Sequence, residues 1–140
     1  MPAVQREYKL PSPEQVESGL TDSDYAERGR WASRKDFIPS EEQVERALTD
    51  TESFVRVNMS KRGDFTPTAE QVERGLVDPD FNIRKAWALR TDYAPTPEQL
   101  QRGLEDCVDE VCRIWMTRAG EIQSTSLLSC ADTEEPLDSI

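Results

Sequence analysis

Pro67-Thr68-Ala69-Glu70-Gln71-Val72-Glu73-Arg74-Gly75-Leu76 decides the fold, because its pattern stands four times in the chain, each copy 28 residues after the last. The earlier copies are Pro11-Ser12-Pro13-Glu14-Gln15-Val16-Glu17-Ser18-Gly19-Leu20 and Pro39-Ser40-Glu41-Glu42-Gln43-Val44-Glu45-Arg46-Ala47-Leu48; the last is Pro95-Thr96-Pro97-Glu98-Gln99-Leu100-Gln101-Arg102-Gly103-Leu104. A hydroxyl residue followed three positions later by Gln is a capping box, so a helix is predicted to start after Ser12, Ser40, Thr68 and Thr96. The i, i+4 spacing of Val16/Leu20, Val44/Leu48, Val72/Leu76 and Leu100/Leu104 gives each helix one narrow apolar stripe. Directly before each Leu stands Gly19, Ala47, Gly75 or Gly103. Glycine inside a helix costs about 1 kcal/mol relative to Ala, so its return implies the close approach of a neighbouring helix.

Working outward, Asp22, Asp50, Asp78 and Asp106 are expected to end the first helix and cap a second. The second helix carries the larger apolar load: Val55, Ile83 and Val111 in one column, and Trp31, Met59, Trp87 and Trp115 four residues on. Those tryptophans have the chemistry of base-stacking platforms, but their phase with Val and Ile assigns them to a core. Each unit closes on Arg34, Arg62, Arg90 or Arg118, followed by Asp36, Asp64 or Asp92 and by Phe37, Phe65 or Tyr93. Two short helices cannot bury an apolar face alone, whereas stacked pairs share a continuous core. The predicted fold is therefore all-α, with four two-helix units at 11–38, 39–66, 67–94 and 95–121. A lead-in, 1–10, whose Tyr8 and Leu10 are expected to cover the first unit, precedes them. Residues 122–140 follow, without Lys or Arg and with Asp132, Glu134, Glu135 and Asp138. A flexible acidic tail is expected there, with Leu127-Leu128 available to dock locally or on a partner.

These residues carry a resemblance. Asp78-Pro79-Asp80-Phe81-Asn82-Ile83-Arg84-Lys85-Ala86-Trp87-Ala88 resembles the core of HEAT-like repeats, and with Pro95-Thr96-Pro97-Glu98-Gln99-Leu100 it is also similar to variant leucine-rich repeats built from paired short helices. The resemblance implies a right-handed α-solenoid; it implies no particular activity. Glu27 departs from the apolar column in the first unit, as do Cys112, Gly120 and Glu121 from the Arg, Asp and aromatic columns in the fourth, in the manner of terminal repeats. The cysteine cluster of some variant leucine-rich repeats is missing, so no iron–sulfur centre is implied.

Composition bounds the function. Of 140 residues, 28 are acidic and 17 basic, giving a net charge of -11 with no His. Such a field opposes direct binding to nucleic acid or anionic lipid. Imidazole catalysis and His-based metal sites are excluded, Cys107 and Cys112 have neither metal nor redox spacing, and no phosphate loop, nucleophile elbow or metalloprotease motif is present. The chain is read as no enzyme, with no cofactor. The absence of an apolar leader or membrane span points to the cytoplasm.

Three polar patterns remain. Asp22, Asp50, Asp78 and Asp106, with the Arg34, Arg62, Arg90 and Arg118 column, read as a structural ladder between units, because stacking contacts must recur in every unit; an anion clamp is the alternative. Glu14 and Glu17, with Glu45 and Glu73 in the second column, would set carboxylates across one face. An i, i+4 partner such as Arg46 for Glu42 would make that face an ordinary solvated one. Glu105, Asp106, Asp109 and Glu110 form the densest acidic patch. The expected function is an acidic helical-repeat module that binds a protein with a basic surface. It would suit an inhibitor of a nucleic-acid-handling protein by nucleic-acid mimicry, for example a phage antagonist of bacterial defence. The alternative is a scaffold or adaptor without mimicry. A HEAT-like DNA base-excision enzyme is disfavoured, since it needs a basic groove.

Overall fold

The computed structural model describes the backbone of residues 9–129 and the side chains of residues 9–121. Eight helices and no strands occur among the described residues: α1 (Pro13–Leu20), α2 (Tyr25–Ser33), α3 (Glu41–Leu48), α4 (Ser53–Ser60), α5 (Ala69–Leu76), α6 (Phe81–Leu89), α7 (Pro97–Leu104) and α8 (Asp109–Ser129). They fall into two compact units divided between Asp92 and Tyr93.

All four predicted capping boxes form. Gln15, Gln43, Gln71 and Gln99 each donate a backbone N–H to the preceding hydroxyl, while the Gln side chain accepts from the cap's own N–H. The second helices begin differently from the expectation. Asp24 and Asp80, rather than Asp22 and Asp78, are the N-caps of α2 and α6, and Glu52 begins α4 without a side-chain bond. Asp22, Asp50 and Asp78 stand two residues earlier, where each carboxylate accepts from the backbone N–H two positions on. They shape the turn between the paired helices, the local bond that short acidic side chains favour.

In the first compact unit α1 packs on α2, α3 on α4 and α5 on α6. Neighbouring pairs meet through α1 with α3, α3 with α5, α2 with α4, and α4 with α6. Val16, Val44, Val72, Leu20, Leu48 and Leu76 are buried from the first helices, and Val55, Met59, Ile83 and Trp87 from the second. Trp31, expected in the core, is only half-buried, at the end of the row. The small residue before each Leu is explained by its own unit's second helix. A methyl group added at Gly19 or Gly75 would overlap the indole of Trp31 or Trp87, and Ala47 stands in the one unit whose core residue is the slimmer Met59. Close approach is thus matched to the bulk it must admit.

In the second compact unit α7 packs on α8. Val111 and Trp115 are buried, and Gly103 makes room for the Trp115 indole. Leu100 and Leu104 are half-buried. Helix α8 runs on through 122–129, into the segment expected as tail; the rest of that expectation, and the role of Tyr8, lie outside the described residues.

Candidate functional site

Three sets of polar contacts join neighbouring helix pairs, and together they decide which charges remain exposed and unpaired. The first runs forward along the chain. Arg28 donates Nε and Nη2 to both carboxylate oxygens of Asp50, at 2.8 and 3.0 Å, and Nη1 to its own unit's Asp22 carbonyl. Arg56 repeats this with Asp78 and the Asp50 carbonyl. Side-chain exposure in these pairs is 11 to 18%. Burial opposes charge on Asp50, but the Arg28 hydrogen bonds, the Glu52 backbone N–H and the nearby guanidinium charges prevail, and its carboxyl lies below the ordinary value. Hydrogen bonding to the carboxylate likewise holds Arg28 and Arg56 more firmly protonated.

The second set runs backward. Arg62 Nη1 donates to the carbonyls of Ala32 and Arg34, Nη2 to that of Phe37, and Nε and Nη2 grip Asp64 of its own unit. Its side chain is 6% exposed and stacks over Phe37, 4.6 Å from the ring centroid. Arg90 repeats the arrangement on Ser60, Arg62 and Phe65 carbonyls, Asp92 and the Phe65 ring. Its hydrogen bonds depress the Asp92 carboxyl below the ordinary value despite partial burial. Arg34 holds its own Asp36 in the same way, and Arg118 lies over the Tyr93 and Trp115 rings. Every N–H of the Arg62 fork has an acceptor, leaving nothing with which to clamp an external anion.

The third set joins the first helices. Glu17 accepts from Gln43 Nε2 at 3.0 Å and pairs with Arg46 at 3.1 Å, while Glu45 accepts from Gln71 and pairs with Arg74. These hydrogen bonds, led by those from the glutamines, lower both carboxyls below the usual range. Arg46 and Arg74 therefore reach back to the preceding unit rather than to Glu42 and Glu70 on their own helices. The i, i+4 expectation yields to a neighbour that sequence spacing alone does not display. Glu14, Glu41, Glu42 and Glu70 are left exposed, without an ion pair among the described residues. Each lies in the first turn of its helix, where the macrodipole favours a negative charge.

Of the remaining site candidates, Glu73 is exposed on α5. In the second compact unit Glu105, Asp109 and Glu110 are exposed and Asp106 half-buried. Glu105 accepts from Gln101, Asp109 pairs with Arg113, and Asp106 shapes the turn by accepting from the Val108 N–H. Cys112 takes the place of Arg28, Arg56 and Arg84 in its column and turns its thiol to the Leu104 carbonyl. Among the described residues no group of His, Cys, Asp or Glu is placed to hold a metal ion, and no helix is long and apolar enough to cross a membrane. Sequence columns gave no notice of Lys35, Lys61 and Lys85, which line grooves beside the second helices. They occupy three different repeat positions, so comparison of units does not align them.

Protein-family models, curated proteins and solved structures contain no match to the chain.

Proposed function

We propose that the chain is a right-handed α-solenoid of four two-helix units acting as a protein-binding module, whose acidic face docks on a basic surface of another protein and occludes it. The observation that carries this reading is the row of Glu14, Glu41, Glu42 and Glu70 on the adjacent helices α1, α3 and α5, which Arg46 and Arg74 leave unneutralised. Helices packed about 8–10 Å apart would repeat this charge at a spacing loosely comparable to nucleic-acid phosphates. A basic, nucleic-acid-handling partner fits that row, and the chain's net charge of -11 would speed encounter. Antagonism of such a partner, as in phage evasion of a bacterial defence, is the role that charge and size suit. No catalytic step is proposed.

The test begins with proteins captured from the native host by the tagged full-length chain, whose association is then measured across a salt series. Affinity should fall steeply with salt, and duplex DNA or RNA should compete for the partner's surface. Salt-insensitive association without such competition would discard occlusion by charge and leave the scaffold reading.

A further inference from the structure

The second helices flank grooves whose chemistry is opposite to that of the acidic row. Between α4 and α6 lies one of about 800 Å³, whose lining includes Phe54, Val57, Ala86 and Leu89 together with Lys61, Asn82 and Lys85. A smaller one of about 350 Å³, bordered by Lys35, Asn58 and Lys61, lies beside α4. Three of the chain's four lysines thus line two grooves. Arg62 and Arg90 also touch the larger groove, but their forks are spent on carbonyls and on Asp64 and Asp92. Lys61 is exposed and forms no ion pair among the described residues. An ammonium on a flexible stem can cover apolar surface while keeping its charge toward solvent. In a chain of charge -11, Arg62 and Arg90 at the larger groove are offset by Asp64 and Asp92, which leaves Lys61 and Lys85 against the single carboxylate of Asp80. Part of the groove's apolar lining stays open to solvent: Phe54 is 41% and Leu89 55% exposed.

We infer that this groove is a docking site for a short peptide segment of another protein that carries carboxylates beside bulky apolar side chains. Charge complementarity selects that occupant. A basic peptide is drawn to the glutamate row instead, and an acidic one is repelled by most of the surface but attracted by the lysines here. The apolar side chain seats on Phe54, Val57 and Leu89, and a carboxylate meets Lys61. The volume lies within the range of sites that enclose a few side chains. This inference is independent of the acidic-face reading, and with it the chain would bridge a basic and an acidic partner.

The test selects displayed random dodecapeptides on the full-length protein, then titrates the enriched peptides, synthesised with a fluorophore, against parent and variants. Enriched sequences should place Asp or Glu beside Leu, Ile or Phe. Their affinity should weaken about tenfold or more in Lys61→Glu and in Leu89→Ser, a loss of about 1.4 kcal/mol or more. Both substitutions are at exposed side chains, and thermal melts establish that each variant is folded; if Lys61→Glu is not, Lys61→Gln replaces it. No enrichment, enrichment of basic or uncharged peptides, or affinity unchanged in the folded variants would overturn the inference. So would carbodiimide cross-links from Lys61 or Lys85 to Asp132, Glu134, Glu135 or Asp138 that a selected peptide does not displace, since the groove would then belong to the chain's own acidic segment.

Discussion

In the first compact unit the two sides of the helix pairs spend ion pairs in different ways. Along the second helices, Arg28–Asp50 and Arg56–Asp78 are two-pronged and mostly buried, and Arg62 and Arg90 are enclosed by carbonyls and aromatic rings. Along the first helices, Glu17–Arg46 and Glu45–Arg74 lie at 35 to 50% side-chain exposure. Buried forks, those of Arg62 and Arg90 with all five N–H groups satisfied, fix how one pair sits on the next, whereas exposed pairs are screened and worth little. The comparison teaches that the number of charges in a column says less than where each finds its partner. On one side charge is consumed by stacking, and on the other it is redistributed so that a row of carboxylates stays free.

Breaking the inner side should have the largest effect. Arg62→Ala strands three carbonyls and Asp64, and should lower stability by about 3 kcal/mol in chemical denaturation. Arg34→Ala, where the side chain is 39% exposed, should cost about 1 kcal/mol. Equal losses would remove the distinction between an enclosed fork and a peripheral one.

The seam between the two sides gives the next effect. Gly75→Ala places a methyl against the Trp87 indole and should cost about 1–2 kcal/mol, the overpacking penalty less the helix propensity that Ala gains. In a Trp87→Met background the same change should be nearly neutral, because the pair then copies Ala47 and Met59. A double-mutant cycle without coupling would show that these positions do not sense each other.

Acid should separate the sides more gently. Asp50, Asp92, Glu17 and Glu45 all have folded pKa values below their ordinary ones. Their contribution is present above the unfolded carboxylate range near pH 4 and is lost as pH falls through the lower folded values. The urea midpoint should therefore decline below about pH 4. Asp50→Asn should flatten that decline more than Glu17→Gln, whose carboxylate faces water.

How much of this was legible in the sequence depends on the range of the contact. The capping boxes at Ser12, Ser40, Thr68 and Thr96 close within four residues, so spacing alone located every first helix. The Gly75 and Trp87 columns were visible because four units could be compared. Asp22 and Asp78 read as caps in the sequence because an acidic side chain serves a cap and a turn equally well. Only the chain's path shows that Asp24 and Asp80 have the better position. Helical spacing matches Arg46 to Glu42, but Glu17 on the neighbouring helix, supported by Gln43, competes successfully for it. Lys35, Lys61 and Lys85 share no repeat position, so the groove became visible only when α4 and α6 were set side by side.

The most direct measurement compares two variants of equal charge on the same helices, Glu14→Gln/Glu42→Gln and Glu17→Gln/Glu45→Gln, in association kinetics with the captured basic partner at low salt. Both remove two carboxylates from α1 and α3, but only the first removes them from the free row. The account predicts a roughly tenfold slower on-rate for Glu14→Gln/Glu42→Gln and a change of about twofold or less for Glu17→Gln/Glu45→Gln, with both folded. Equal slowing by the two variants, or slowing by the second alone, would contradict the division of charge between holding the repeats together and meeting a partner.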